Sequence, residues 1–257
     1  MLREQGFLLV LAMFFSVAAG LVGCIALMKR MLLAGDVISH LALPGIGFAL
    51  LLKMNPIAGG AATLFLGTFL VWQLQKKTGL ATESAIGVIF AVALAIGAAV
   101  TPSEDLAESL FGQLGGISLV GFLLGMAAVS IVIISVFLLR YQLSLSILSP
   151  DLAAATGVNI SRLDLNFLLL FSLTVLIGLR FMGALLASSL IIMPAATARQ
   201  LADKLAYFLI FAMATSVLSV AAGFLLNTFF FKFSTAGPTI AMFSALLFAV
   251  SLLARKG

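Results

Sequence analysis

Long apolar runs dominate the chain, and short polar interruptions separate them. Phe7–Met28 and Ser118–Leu139 are almost unbroken apolar stretches. Runs of about 18 or more apolar residues read as membrane-spanning helices. A spanning barrel strand would instead alternate apolar and polar residues, and these runs do not alternate. The pattern predicts helices over 7–28, 36–52, 57–75, 84–101, 118–139, 165–180, 181–197, 205–227 and 236–254. Some are short, so eight or nine transmembrane helices are expected. No long polar loop and no internal repeat divides the chain, which predicts one transmembrane domain over 1–257. The fold class is an all-α polytopic membrane protein.

Composition strengthens this reading. Of 257 residues, 63% are hydrophobic and 9% charged, where a soluble domain carries about 25% charged residues. So apolar a chain needs lipid as its solvent, and in lipid only helices and closed barrels satisfy their own backbone groups. The single cysteine, Cys24, excludes an internal disulfide and reads as a small buried hydrophobe.

The net charge of +5 comes from basic residues at the ends of apolar runs. No basic stripe or base-reading motif is present, which argues against nucleic-acid binding. With the N-terminus outside, Lys29, Arg30, Lys76, Lys77, Arg140, Arg162, Arg199, Lys204, Arg255 and Lys256 face the cytoplasm. Only Arg3, Lys53, Arg180 and Lys232 fall outside. This excess satisfies the positive-inside rule and puts the C-terminus in the cytoplasm. The segment Thr101–Glu108, with Glu104, Asp105 and Glu108, becomes an acidic outer loop, either simply solvated or able to dock a basic partner or attract cations.

Ionisable residues within spanning segments mark function. Asp36 lies four residues before His40, the single histidine. On a helix these positions share a face one turn apart. An oxygen donor beside a nitrogen donor suits a borderline divalent metal. The competing reading makes Asp36 a helix cap after Gly35 and His40 a satisfied interior group. Pro44, followed by Gly45, removes the hydrogen bond to the His40 carbonyl, and Pro194 does the same to Leu190. Both prolines predict helix breaks, which occur as packing kinks and along transporter pathways. The segment Ser149–Val158 is short and alanine-rich. Ser149 suits the cap, Pro150 the first turn and Gly157 the stop, which predicts a short cytoplasmic docking helix over about 149–159. No G-x-x-x-x-G-K-[ST] phosphate loop, G-x-S-x-G elbow or H-E-x-x-H is present. These absences argue against phosphate-loop ATP binding and an intramembrane hydrolase, so no enzyme is expected, and any uphill transport would draw its energy from a partner or an ion gradient.

Several of these stretches together resemble the membrane subunit of ABC-type metal-ion importers, the zinc/manganese/iron permease family. Gly35-Asp36-Val37-Ile38-Ser39-His40 with Leu43-Pro44-Gly45 is similar to that family's G-D-x-x-S-H-x-x-x-P-G signature. Glu83-Ser84-Ala85-Ile86-Gly87, Leu110-Phe111-Gly112, Ala153 with Gly157-Val158, Met182–Leu186 and Pro194–Ala198 resemble further family segments, in the family's order. The resemblance implies a vitamin B12-permease-like, type II architecture in a bacterial inner or plasma membrane. It implies a homodimer around a central pathway, cytoplasmic ATPase subunits that bind and hydrolyse ATP, and an extracytoplasmic metal-binding protein. Asp36 and His40 match the positions proposed to contact the metal in transit. The metal is then a substrate, and no cofactor is implied for this chain. Ser149, Pro150, Asp151, Ala153 and Gly157 match the segment that couples to the ATPase. Ser149 departs from the acidic residue that often opens this segment, and Asp151 offers a nearby carboxylate instead. The alternatives are a same-fold permease for a chelated metal or cobalamin-like cofactor, and a gradient-driven secondary transporter.

Overall fold

The computed structural model describes residues 2–100, 119–231 and 236–254. The acidic segment 101–108, Leu110-Phe111-Gly112, Lys232, Arg255 and Lys256 lie outside the described residues. Among the described residues, each of the nine predicted runs lies largely on helix. The helices are α1 (Leu2–Met28), α2 (Ala34–Ser39), α3 (Leu43–Leu51), α4 (Pro56–Thr78), α5 (Thr82–Val100) and α6 (Leu119–Leu148). Then follow α7 (Pro150–Ala155), α8 (Ile160–Met182), α9 (Ala184–Leu201), α10 (Leu205–Leu226) and α11 (Gly237–Ala254). A 3-10 turn, His40–Ala42, joins α2 to α3, so these two form one interrupted segment. Among the described residues, seven helical segments are long and apolar enough to cross a membrane, and Gly237–Leu253 is a shorter apolar helix. The 18 residues of α9 rise about 27 Å, close to the hydrocarbon thickness of about 30 Å.

Local chemistry sets the helix ends. The Asn55 side chain accepts a hydrogen bond from the Ile57 amide at 3.0 Å, and Pro56 opens α4. Gly79, at φ 69°, closes it in the left-handed conformation that favours glycine. Asn159 caps α8 by accepting from the Arg162 amide at 3.0 Å. Between α8 and α9 the chain turns on Gly183, at φ 86° and ψ 157°. This region is essentially restricted to glycine and costs another residue about 1–3 kcal/mol. Gly183→Ala is therefore expected to lower the unfolding midpoint in detergent, measured by thermal denaturation of the purified protein.

The core lies along α1, which packs against α6, α8, α9 and α10. Leu11, Phe15, Leu21 and Ile25 on α1 are fully buried with Phe167 and Phe171 of α8. By contrast α5 and α6 leave most of their apolar side chains exposed, among them Val88, Val92, Ile131, Ile134 and Leu138. Lipid favours such faces, since no water is present to penalise them.

Two expectations from sequence need correction. The helix does not break at Pro194, because α9 runs through it from Ala184 to Leu201. Pro194 is buried against neighbouring helices, and its carbonyl lies 3.5 Å from the Thr215 hydroxyl of α10. The carbonyl freed by its missing amide is that of Leu190, a residue fully buried in the bundle. Ser149 holds the N-cap position of α7, but its side chain makes no capping hydrogen bond. Pro150 brings no amide that needs a partner, and Asp151 in the first turn faces the positive end of the helix dipole.

Candidate functional site

Asp36 stands in the first turn of α2, behind the N-cap residue Leu33. It is therefore not the cap that the competing reading required. Its backbone carbonyl accepts from the Ser39 hydroxyl at 2.6 Å. Its side chain is exposed, and among the described residues the carboxylate has no hydrogen-bond or ion-pair partner. His40 follows one turn later, half-buried at the start of the 3-10 turn. Its ring sits against Phe90 of α5, with centroids 5.8 Å apart and planes tilted by 51°.

The turn beneath His40 has a clear cause. Pro44 carries no amide proton, so the bond it would give to the His40 carbonyl is absent. The Leu43 amide donates to that carbonyl instead, closing the tighter i to i+3 ring. Pro44 then occupies the first turn of α3, where proline is tolerated.

Small residues on the neighbouring helices hold this turn. The Thr63 hydroxyl of α4 lies 3.5 Å from the Ala42 carbonyl and 3.2 Å from that of Gly60. A Cβ on Gly45 would collide with the Gly59 carbonyl oxygen and the Thr63 hydroxyl. On the α5 side, a Cβ on Gly97 would come 3.1 Å from the Leu43 Cβ. Gly45, predicted as part of a pathway break, is thus the point where α3 and α4 meet backbone to backbone.

Among the described residues, no three or more His, Cys, Asp or Glu side chains gather as a metal site. Asp36 and His40 form a two-donor set, short of the four ligands of a closed structural site. Such a set can hold a divalent cation weakly, with water or a second chain filling the other positions. Pro194 lies on α9, outside this turn, and Gly183 separates that helix from α8.

Of the coupling candidates, Pro150, Asp151 and Ala153 lie on α7, Ser149 is its N-cap and Gly157 lies two residues past its end. Ala153 is fully buried, whereas Leu152 is 59% exposed. The Val158 amide bonds the Ala153 carbonyl at 3.2 Å, and Gly157 turns at φ 80°. The helix is thus anchored by one side and presents the other.

One ionic contact was missed by sequence reasoning. Lys29, just past α1, donates to the Asp164 Oδ1 of α8 at 2.5 Å. The predicted span began at residue 165 and left Asp164 just outside. A lone carboxylate so near a spanning run was the available signal.

The interrupted segment α2–α3, with Asp36 and His40 one turn apart, sits in an all-helical polytopic bundle whose long apolar helices suit a membrane protein. The chain belongs to the ABC 3 transport family, whose model matches residues 6–255. It is 32% identical over 240 residues to the high-affinity zinc uptake system membrane protein ZnuB of Haemophilus influenzae, covering 91% of each chain. It is 28% identical over 251 residues to the manganese import system permease protein ScaB of Streptococcus gordonii, covering 95% of this chain and 88% of that one. Its fold matches PsaBC from Streptococcus pneumoniae in complex with Fab at a TM-score of 0.80 and 23% identity, over 97% of this chain and 91% of that one. It also matches a metal-chelate type ABC transporter in an inward-facing conformation, with a TM-score of 0.77.

Proposed function

We propose that this chain is the permease subunit of an ATP-driven importer that carries a divalent transition metal ion into the cytoplasm. Zinc, manganese and iron are the candidate substrates. The pairing of Asp36 and His40 carries this reading. The two donors stand one turn apart, at the point where α2 gives way to the 3-10 turn, and neither is consumed by a cap or an ion pair among the described residues. The zinc and manganese names of the relatives support the same cargo. An oxygen and a nitrogen donor bind all three metals, so selection rests on geometry and availability. Two donors also suit transit, because conduction requires release as well as entry.

Two copies of the chain would line the pathway, and ATPase subunits would dock on the exposed side of α7 and supply the energy. An extracytoplasmic protein would deliver the metal. The positive-inside balance supports an N-terminus outside and a C-terminus in the cytoplasm. Reconstituted with its ATPase subunits, the permease is expected to load liposomes with zinc or manganese only when ATP is supplied. Radiometal counting measures this. Equal loading by the permease alone would favour a gradient-driven carrier and overturn the ABC reading.

A further inference from the structure

We propose that Lys29 and Asp164 are a positioning pair for the metal donors, linking the first turns of α8 to the start of α2. The inference rests on the transporter reading above and deepens it.

Lys29 and Asp164 are far apart in sequence, and their side chains are only 15% and 33% exposed. The Lys29 ammonium also lies 5.7 Å above the Phe167 ring of α8. Immobilising a lysine in this way holds the short segment that follows it. Arg30 takes a left-handed φ of 59°, and the Met31 amide bonds back to Ala26 at 2.9 Å. Only residues 29–33 separate α1 from α2. The clamp therefore acts on the entrance of the helix that carries Asp36.

The same face of α8 continues to that helix. Asp164, Phe167 and Phe171 follow at intervals of three and four, which align on one face. Phe167 and Phe171 pack with centroids 6.0 Å apart and planes tilted by 47°. The Phe171 ring then reaches 3.6 Å from the position of a Cβ on Gly35, the neighbour of Asp36. A packed line thus runs from the ion pair to Gly35, the residue before Asp36. On its flank, the Trp72 indole of α4 donates to the Ser161 carbonyl at 2.8 Å, and Thr68 and Ser172 share a hydrogen bond at 2.6 Å. These ties fasten the N-terminal half of α8 to α4.

The other end of the line meets α7. Four residues connect α7 to α8, and the Gly157 and Val158 amides bond back to α7 at 3.0 and 3.2 Å. A displacement of α7 by a docked ATPase therefore passes into the first turns of α8 with little slack. There the Asp164–Lys29 pair transfers it to the entrance of α2. Neither residue touches the metal in this scheme; both act through Asp36 and His40.

The test uses the complete transporter in proteoliposomes, with zinc and manganese as cargo, and records uptake and ATP hydrolysis together. Asp164→Asn and Lys29→Met are each expected to cut uptake about 10–100-fold, the range for residues that orient metal ligands. ATP hydrolysis is expected to persist, so that the number of ions moved per ATP falls. The exchanged pair Lys29→Asp with Asp164→Lys is expected to restore uptake. A wild-type ratio of uptake to hydrolysis in the single variants overturns the proposal. So does failure of the exchanged pair to restore uptake, or loss of the single variants from the membrane without rescue by it. Absence of uptake by the wild-type transporter would instead sink the transporter reading itself.

Discussion

Asp36→Ala is expected to abolish metal uptake while leaving the transporter assembled in the membrane, and His40→Ala is expected to do the same. A two-donor site has no redundancy. Losing a residue that only orients a metal ligand costs about 10–100-fold, so losing a ligand is expected to exceed the upper end of that range. The structure explains why assembly survives. The Asp36 side chain is exposed and has no partner among the described residues, and such substitutions usually stay within about 0.5 kcal/mol of wild type. His40 is half-buried against Phe90, so its truncation loses one ring contact and leaves the turn itself intact. That turn is held by backbone bonds and by Pro44. Uptake of radioactive zinc and manganese in cells lacking other importers, with immunoblotting of membranes, checks both variants. Normal accumulation in both would remove these residues from the metal path.

Gly45→Ala is the second large effect, and it acts through packing. The added methyl would fall on the Gly59 carbonyl oxygen and the Thr63 hydroxyl. Gly59 is equally crowded from the other side, by the Gly45 carbonyl, so neither helix has slack. The obstacle is backbone, which cannot rotate away as a side-chain end can. Overpacking of this kind costs about 1–3 kcal/mol. A chain of this size would lose about 2–4 °C in melting midpoint for each kcal/mol. Because α3 leaves the His40–Ala42 turn directly, separating α3 from α4 also displaces His40, and uptake falls with stability. Gly6→Ala serves as the comparison, since nothing lies within 4 Å of its added Cβ. Thermal unfolding of both variants in detergent, beside uptake assays, separates the two cases. Equal midpoints for Gly45→Ala and wild type would show that the helices yield.

Much of the architecture was legible along the chain. Each apolar run became helix because lipid leaves the backbone no other partner, and that constraint acts locally. The interruption at Pro44 was legible for the same reason, since a missing amide affects one identifiable carbonyl. Asp36 and His40 were legible as a pair because four residues make one helical turn wherever the helix lies. The ends of α4 and of α8 rest on Asn55, Gly79 and Asn159, whose side chains or backbone freedom act within a few residues.

Tertiary structure decided the rest, because the deciding contacts join residues far apart in sequence. Proline chemistry alone did not distinguish Pro44 from Pro194. The first follows a 3-10 turn and opens α3, and the second sits inside a helix that runs through it. Gly45 looked like part of a break, yet its role depends on Gly59 and Thr63 in the next helix. Asp164 lay just outside a predicted span, and only the approach of α1 to α8 gave it Lys29. A single sequence records which residues prefer lipid and where the helical hydrogen-bond pattern must yield. Which helices meet, and which charges then pair, follows from packing the whole bundle at once.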